Sequence, residues 1–273
     1  EEAVTEHLKN LQKEFFIAAK DKENAPFVDI TPEQTQQIML QAKKNSERWR
    51  KMDLNGKSEE EILKSFDVPA KMKIFTYEGE KDTIMKPTDS IIYYKHMLQT
   101  GMMAMEPRSG HIKAWVGGVN YKYFQYDHVG QGARQVGSTF KPFLYATAIE
   151  QLGMSPCDSI IDSYFTMPKG KWGIDADWSP KNSDGNYRGT TTLQKALANS
   201  INTVSAKLID RVGPQAVVDM AKELGVTSDI PVQPSIALGA VDITVEQMVG
   251  AMSTFANQGV YVKPTFIIKI EDK

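Results

Sequence analysis

Apolar residues recur at helical spacing through the first part of the chain. Val4, Leu8, Leu11 and Phe15 share one face, which predicts an amphipathic helix over residues 3–18. After a polar stretch at 21–24, Thr31-Pro32-Glu33-Gln34 combines a capping box with proline at the first helical position. The helix it opens is expected to run to about Met52 and to stop near Gly56. Ser58-Glu59-Glu60-Glu61 is a second capping box and predicts a short helix through Ile62 and Phe66. Residues 72–77 read as a strand, and Asp89 or Ser90 is placed to cap a helix through Tyr93, Met97 and Leu98 that ends at Gly101. The Lys- and Glu-rich faces of this region read as solvated helix surface.

The texture changes at residue 102. Two apolar runs, 102–105 and 111–116, flank Glu106-Pro107-Arg108-Ser109-Gly110, which is the pattern of a β-hairpin. An aromatic, glycine-punctuated loop at 117–132 leads into a helix expected over about 138–152. A long loop with Pro156, Pro168 and Pro180 follows, then helices at about 192–198, 203–212, 214–224 and 245–258, and a final apolar strand at 265–270. Strands at both ends with helices between them predict an α+β fold, a sheet with its helices grouped on its faces. No internal repeat or low-complexity segment interrupts the pattern.

Composition narrows the functional classes. The 273 residues carry 32 basic and 34 acidic side chains, a net charge of −2, which argues against a nucleic-acid binder. No apolar run reaches the length of about 18 residues that a membrane span needs. The chain opens on Glu1-Glu2-Ala3-Val4, without initiator Met or leader pattern, so it is expected to be a piece of something longer whose anchor lies elsewhere. The single Cys157 allows no internal disulfide and no cysteine-based metal cluster, and it reads as a small apolar side chain. His7, His96, His111 and His128 are too scattered for a metal set. Asp175 and Asp177, near Trp172 and Trp178, are a poor match to a glycosidase carboxylate pair.

Two short patterns carry candidate chemistry. Ser138 is the only serine followed three residues later by lysine, and Ser138-Thr139-Phe140-Lys141 would put amine and hydroxyl on one helix face within hydrogen-bond reach. Gly137 removes a side chain just before the serine, so a substrate carbonyl can approach the backbone. Pro142 requires the helix to start close to Ser138, which aims the Ser138 N–H and the helix dipole at developing negative charge. Ser200-Ile201-Asn202 falls at a break between two helical segments. From the residues alone, Ser138 also fits a plain cap with Lys141 a surface charge, and Ser200 or Asn202 fits a cap as well. Tyr121, Tyr123, Phe124 and Tyr126 either line a groove or pack the loop.

Taken together, the patterns resemble the transpeptidase domain of class A, 1A-type penicillin-binding proteins. Arg134-Gln135-Val136-Gly137-Ser138-Thr139-Phe140-Lys141-Pro142-Phe143 is similar to that family's active-serine segment, and Ala196-Leu197-Ala198-Asn199-Ser200-Ile201-Asn202-Thr203 to its Ser-x-Asn motif. Trp115-Val116-Gly117-Gly118, Pro180-Lys181-Asn182 with Gly189-Thr190-Thr191, Pro234-Ser235 through Leu238-Gly239, and Phe255-Ala256-Asn257-Gln258-Gly259 resemble the segments around them. The resemblance covers about residues 90–273. It divides the chain into a lead-in helix (1–19), an inserted or linker helical region (20–88) and a partial transpeptidase domain (89–273). The family's third motif, Lys-Thr-Gly or Lys-Ser-Gly, does not occur in the 273 residues, nor does its glycosyltransferase domain. The resemblance therefore implies a transpeptidase core cut before its last strands.

The activity implied by the resemblance is that of a D-Ala-D-Ala transpeptidase and carboxypeptidase-type serine enzyme. Ser138 is implied as nucleophile, Lys141 as base, Ser200 as proton relay and Asn202 as holder of Lys141 or the substrate amide. Gly137, Thr139, Tyr126 and Asn182 are the expected substrate contacts. No metal or organic cofactor is implied. The implied partners are peptidoglycan stem peptides, β-lactam antibiotics and the cell-wall synthesis machinery, on the outer side of a membrane to which the full-length protein is anchored. A serine β-lactamase, a β-lactam or muropeptide sensor and an inactive structural fragment are the alternatives.

Overall fold

The first turns of the helices show which sequence signals operate. In the computed structural model, which describes residues 2–22 and 24–271, the chain divides into two compact units. One comprises Glu1–Gln99 with Val119–Gln125, and the other Thr100–Gly118 with Tyr126–Lys273.

In the first unit, α1 (Glu2–Ala19) buries Leu8 and also Gln12. The Gln12 amide donates to His96 O (2.9 Å) and accepts from Leu98 N (2.7 Å), so a buried polar side chain ties α1 to a distant backbone stretch. The single helix expected from Thr31 to Met52 is two, α2 (Pro32–Lys44) and α3 (Glu47–Leu54). Ser46 breaks it: it takes extended backbone and accepts from Trp49 N (3.2 Å), a cap inside an otherwise continuous period. The capping box of α4 (Glu59–Ser65) forms as predicted, with Glu61 N donating to Ser58 Oγ and Ser58 N to Glu61 Oε2. β1 (Ala70–Thr76) pairs antiparallel with β2 (Gly79–Met85), a strand too polar for its alternation to show in the sequence. α5 (Pro87–Lys95) starts before the expected Asp89 or Ser90 cap, because Pro87 presets its first turn, and it ends well short of Gly101. The returning segment 119–125 sets the Tyr123 and Phe124 rings 5.7 and 5.5 Å from Phe75, with Tyr94 beside both.

The second unit opens with the predicted hairpin, β3 (Met102–Met105) against β4 (Ile112–Val116), in register Met102↔Val116. β5 (Arg134–Gln135) leads through a 3₁₀ turn, Gly137–Phe140, into α6 (Lys141–Leu152). β6 (Ser159–Asp162) and β7 (Gly189–Thr192) pair antiparallel. The helices α7 (Leu193–Ala198), α8 (Asn202–Val212) and α9 (Pro214–Glu223) follow. A 3₁₀ turn at Pro234–Leu238 precedes β8 (Asp242–Ile243), which pairs with β5, and α10 (Val245–Ala256) comes last. α6 packs against α8 and α9, and its Phe143, Leu144 and Ala148 are fully buried with Leu208, Ile209, Val217 and Ile236. Each large side chain buried this way contributes roughly 1.5–3 kcal/mol, so α6 is firmly anchored in the unit.

The α+β class holds, but the sheet is distributed over four separate two-stranded antiparallel pairs among the described residues. The expected strand at 265–270 is reduced to a single parallel bridge, His111↔Thr265. Ile112 N donates to Thr265 O and Thr265 N to Gly110 O, while Phe266, Ile267, Ile268 and Ile270 stay exposed. An apolar run without a second pairing partner does not become a ladder.

Candidate active site

The backbone ahead of Ser138 is fixed before any side chain acts. The β5–β8 ladder continues as Val136 N to Val241 O (3.0 Å) and Gly137 N to Gly239 O (3.1 Å). Gly239 has φ +76°, and a Cβ there would fall 1.8 Å from Gly137 O and 2.3 Å from its carbonyl carbon. Only glycine permits that approach. Gly137 itself has φ +54° with open space where a Cβ would stand, so the approach to the serine is unobstructed. Ser138 is exposed. Thr139 is exposed too, but its hydroxyl donates to Val136 O (2.6 Å), which fixes the turn and occupies the donor expected to meet substrate. Phe140, fully buried, pins the turn from below, and Lys141 begins α6 one turn after the serine.

Lys141 is fully buried, and burial pushes its pKa down to about 8. Its Nζ donates to Ser200 O (2.7 Å), Ser200 Oγ (2.9 Å) and Asn202 Oδ1 (2.7 Å). Three acceptors converge on one nitrogen because Ser200 is left-handed, with φ +52°. That kink, between the end of α7 and the start of α8, turns both oxygens of one residue the same way. The expectation that Lys141 bonds the Ser138 hydroxyl is corrected here. The amine's three donors are filled by the 200–202 segment, and the Ser138 hydroxyl is not among its partners. Asn202 holds Lys141, and its Nδ2 donates to Lys181 O (2.9 Å).

Asn182 does not face a cleft. It is buried, and its Oδ1 accepts from Asn202 N (3.0 Å) and Thr203 N (3.2 Å). Its Nδ2 donates to Asp162 Oδ1 (2.9 Å) and Asn186 O (2.8 Å). Two acceptor and two donor positions are all filled, so no polar atom is left for a substrate. The reason is local: Ile201, at the N-cap of α8, has no side-chain acceptor, and Asn182 caps the helix from a distant loop. Tyr126 makes no hydrogen bond to the Ser138–Lys141 group. It is half exposed, its hydroxyl donates to Gln131 O (3.0 Å) and its ring lies 4.9 Å from His128. In the same aromatic stretch, Tyr123 and Phe124 pack their own unit, and Tyr121 is exposed. Cys157 is exposed rather than packed, and Asp177 accepts from Lys169 N within its loop. Among the described residues no group of three or more His, Cys, Asp or Glu is placed to hold a metal.

Sequence reasoning missed Asp162, and it gave Thr203 and Gly239 no role beyond membership of the matched segments. Asp162 is buried at the end of an apolar strand, where an acid is conspicuous, and its carboxylate accepts from Thr203 Oγ1 (2.5 Å), Asn182 Nδ2 and Arg188 N (2.8 Å). Burial opposes its charge, but these bonds and the Arg188 guanidinium hold its pKa below the usual carboxylate value.

An exposed serine in a helix-opening turn, with a buried, pKa-lowered lysine one turn on and a Ser-x-Asn segment on that lysine, is the layout of a Ser–Lys acyl-transfer domain. Residues 100–273 match the penicillin binding protein transpeptidase domain, and residues 22–98 match the penicillin-binding protein middle domain. The chain belongs to the penicillin-binding protein transpeptidase family. The stretch expected as an insertion, 20–88, lies largely inside the middle-domain match. Penicillin-binding protein 1A of Aquifex aeolicus is 38% identical over 179 residues, covering 64% of this chain and 24% of the relative. That of Neisseria flavescens is 37% identical over 177 residues, with 64% and 22% covered. The crystal structure of penicillin-binding protein 1A from Haemophilus influenzae superposes with a TM-score of 0.60 at 30% identity, covering 64% of this chain and 26% of that one. The chain thus spans about a quarter of the length of these relatives.

Proposed function

We propose that the chain carries the acyl-transfer centre of a peptidoglycan D-Ala-D-Ala transpeptidase, a serine-type enzyme of the carboxypeptidase and transpeptidase class. The observation that supports it most is the buried Lys141, held by Ser200 and Asn202 one turn from an exposed Ser138. Ser138 Oγ attacks the carbonyl between the terminal D-alanines and loses its proton to neutral Lys141. The Ser138 N–H, in the first turn of the helical segment, faces the developing oxyanion. The C–N bond then breaks, and the departing amine of D-alanine takes a proton relayed from Lys141 through Ser200. An acceptor amine from a second stem peptide attacks the ester, forms the cross-link and restores Ser138. For Lys141 to accept the proton it must first be neutral and release one of its three oxygen partners, and burial favours that neutral form. β-Lactams acylate the same serine, and no metal or organic cofactor takes part. The site works outside the cytoplasmic membrane, in a membrane-anchored protein acting with the cell-wall synthesis machinery.

The test is intact-mass spectrometry after incubation with a fluorescent penicillin, on the wild type and on Ser138→Ala. It is run on these 273 residues and on a chain that also carries a Lys-Thr-Gly strand. One ligand mass on the wild type, absent from Ser138→Ala, is the expected result. No adduct on the longer chain, while it unfolds cooperatively, overturns the reading.

A further inference from the structure

We propose that the buried Asp162 is a positioning residue for the acyl-transfer centre: acting through Asn182, it fixes where Asn202, and therefore Lys141, stands. The proposal rests on Lys141 being the base. It begins from an isolated fact, a carboxylate about 1% exposed that the reaction itself does not use.

Every group facing Asp162 is a donor. Oδ1 accepts from the Thr203 hydroxyl (2.5 Å) and from Asn182 Nδ2 (2.9 Å), and Oδ2 accepts from Arg188 N (2.8 Å), with the Arg188 guanidinium 3.9 Å away. A side chain with two acceptor oxygens is therefore required; an amide would turn an NH₂ toward one of these donors. Asp162 orients the Asn182 amide, so that Asn182 Oδ1 faces outward and accepts the first two N–H groups of α8, those of Asn202 and Thr203. The Asn202 backbone is fixed by that bond and its side chain by Lys181 O, which leaves Oδ1 aimed at Lys141 Nζ, 2.7 Å away. The chain of contacts runs from β6 through a loop to α8 and then to α6, each link a hydrogen bond of ordinary length. It also explains why Ser200 can hold a left-handed backbone: the α7–α8 junction is tied down immediately after it.

The experiment measures acylation by a fluorescent penicillin under single-turnover conditions for the wild type, Asp162→Asn, Asn182→Ala and the double variant. Amide hydrogen exchange at Asn202 and Thr203 is followed in the same proteins. Asp162→Asn is expected to lower the acylation rate at saturating antibiotic about 10- to 100-fold, the scale of a misplacement near 1 Å, while the concentration for half-saturation stays unchanged. Asn182→Ala is expected to match it, and the double variant to add nothing further, because both cut the same chain. Exchange at Asn202 and Thr203 is expected to quicken in all three variants. A wild-type rate at saturation in Asp162→Asn overturns the proposal, as do additive losses or unchanged exchange. If Asp162→Asn does not fold, Asn182→Ala cuts the same chain at its next link; a wild-type rate and exchange there overturn it equally. Should the wild type take up no antibiotic at all, the acyl-transfer reading is what fails, and the exchange measurement still decides the hydrogen-bond chain.

Discussion

Gly239→Ala is the substitution with the most sharply defined consequence. The new methyl carbon would stand 1.8 Å from Gly137 O, where non-bonded contacts settle near 3.5 Å, so one backbone has to move by more than about 1 Å. The moving atom belongs to the peptide next to Ser138, and a displacement of that size at a reacting group costs about 10²-fold in rate. Overpacking adds roughly 1–3 kcal/mol of destabilisation, and the left-handed backbone about 1 kcal/mol more. Gly153→Ala separates the two effects. Gly153 is also left-handed, at φ +61°, and a Cβ there meets nothing within 4 Å. Gly153→Ala is expected to lose about 1 kcal/mol in urea unfolding and to acylate at the wild-type rate. Gly239→Ala is expected to lose more stability and to acylate about 100-fold more slowly. Equal rates in the two variants would refute the reasoning, by showing that the 234–239 turn yields while the serine segment stays in place.

Three further outcomes are expected from the same geometry. With Lys141 at a pKa of about 8, only about a tenth of it is neutral at pH 7, so the acylation rate is expected to rise about tenfold per pH unit and level off above pH 8. A flat profile would remove Lys141 as the base. Its folded-state pKa lies below the unfolded value of about 10.4, so the unfolded chain binds the extra proton between these limits. Stability should therefore climb as pH rises from about 8 to 10 in the wild type, and by less in Lys141→Met, as urea titrations at the two ends would register. Ser200→Gly and Ser200→Ala both lose the hydroxyl, but only glycine relieves the φ of +52°. Ser200→Gly is expected to be about 1 kcal/mol more stable than Ser200→Ala, with acylation impaired in both. Equal stabilities would mean that the turn at Ser200 stores no strain.

Local grammar carried much of this molecule. Capping boxes at Thr31 and Ser58, the Pro/Gly turn of the β3–β4 hairpin and the Gly-Ser-x-x-Lys-Pro stretch each depend on neighbours a few residues apart, and each forms where the residues announce it. What escaped depends on partners far along the chain. Asn182 gives no sign in the sequence that it caps α8 twenty residues on, and Gly239 reads as an ordinary turn glycine until Gly137 O is placed against it. Ser46 interrupts α2 and α3 inside an unbroken helical period, because a serine cap adds no change in hydrophobic pattern. The resemblance of the Ser138 and Ser200 segments located the candidate chemistry. It could not say that Lys141 rests on Ser200 and Asn202 rather than on Ser138, since that depends on a left-handed residue that only Gly and Asn commonly signal.

The return of residues 119–125 to the first unit limits how this protein can be dissected. Along the sequence the two family matches meet between residues 98 and 100, an inviting place to cut. A fragment beginning at Thr100 would take Tyr123 and Phe124 with it and leave Phe75 and Tyr94 behind, so both pieces would show bare aromatic faces to water. Exposed rings of that kind invite aggregation, and an insoluble fragment would then say nothing about the strength of its own core. Clean excision of the transpeptidase-family unit needs the 119–125 loop replaced by a short polar turn, or the first unit kept attached.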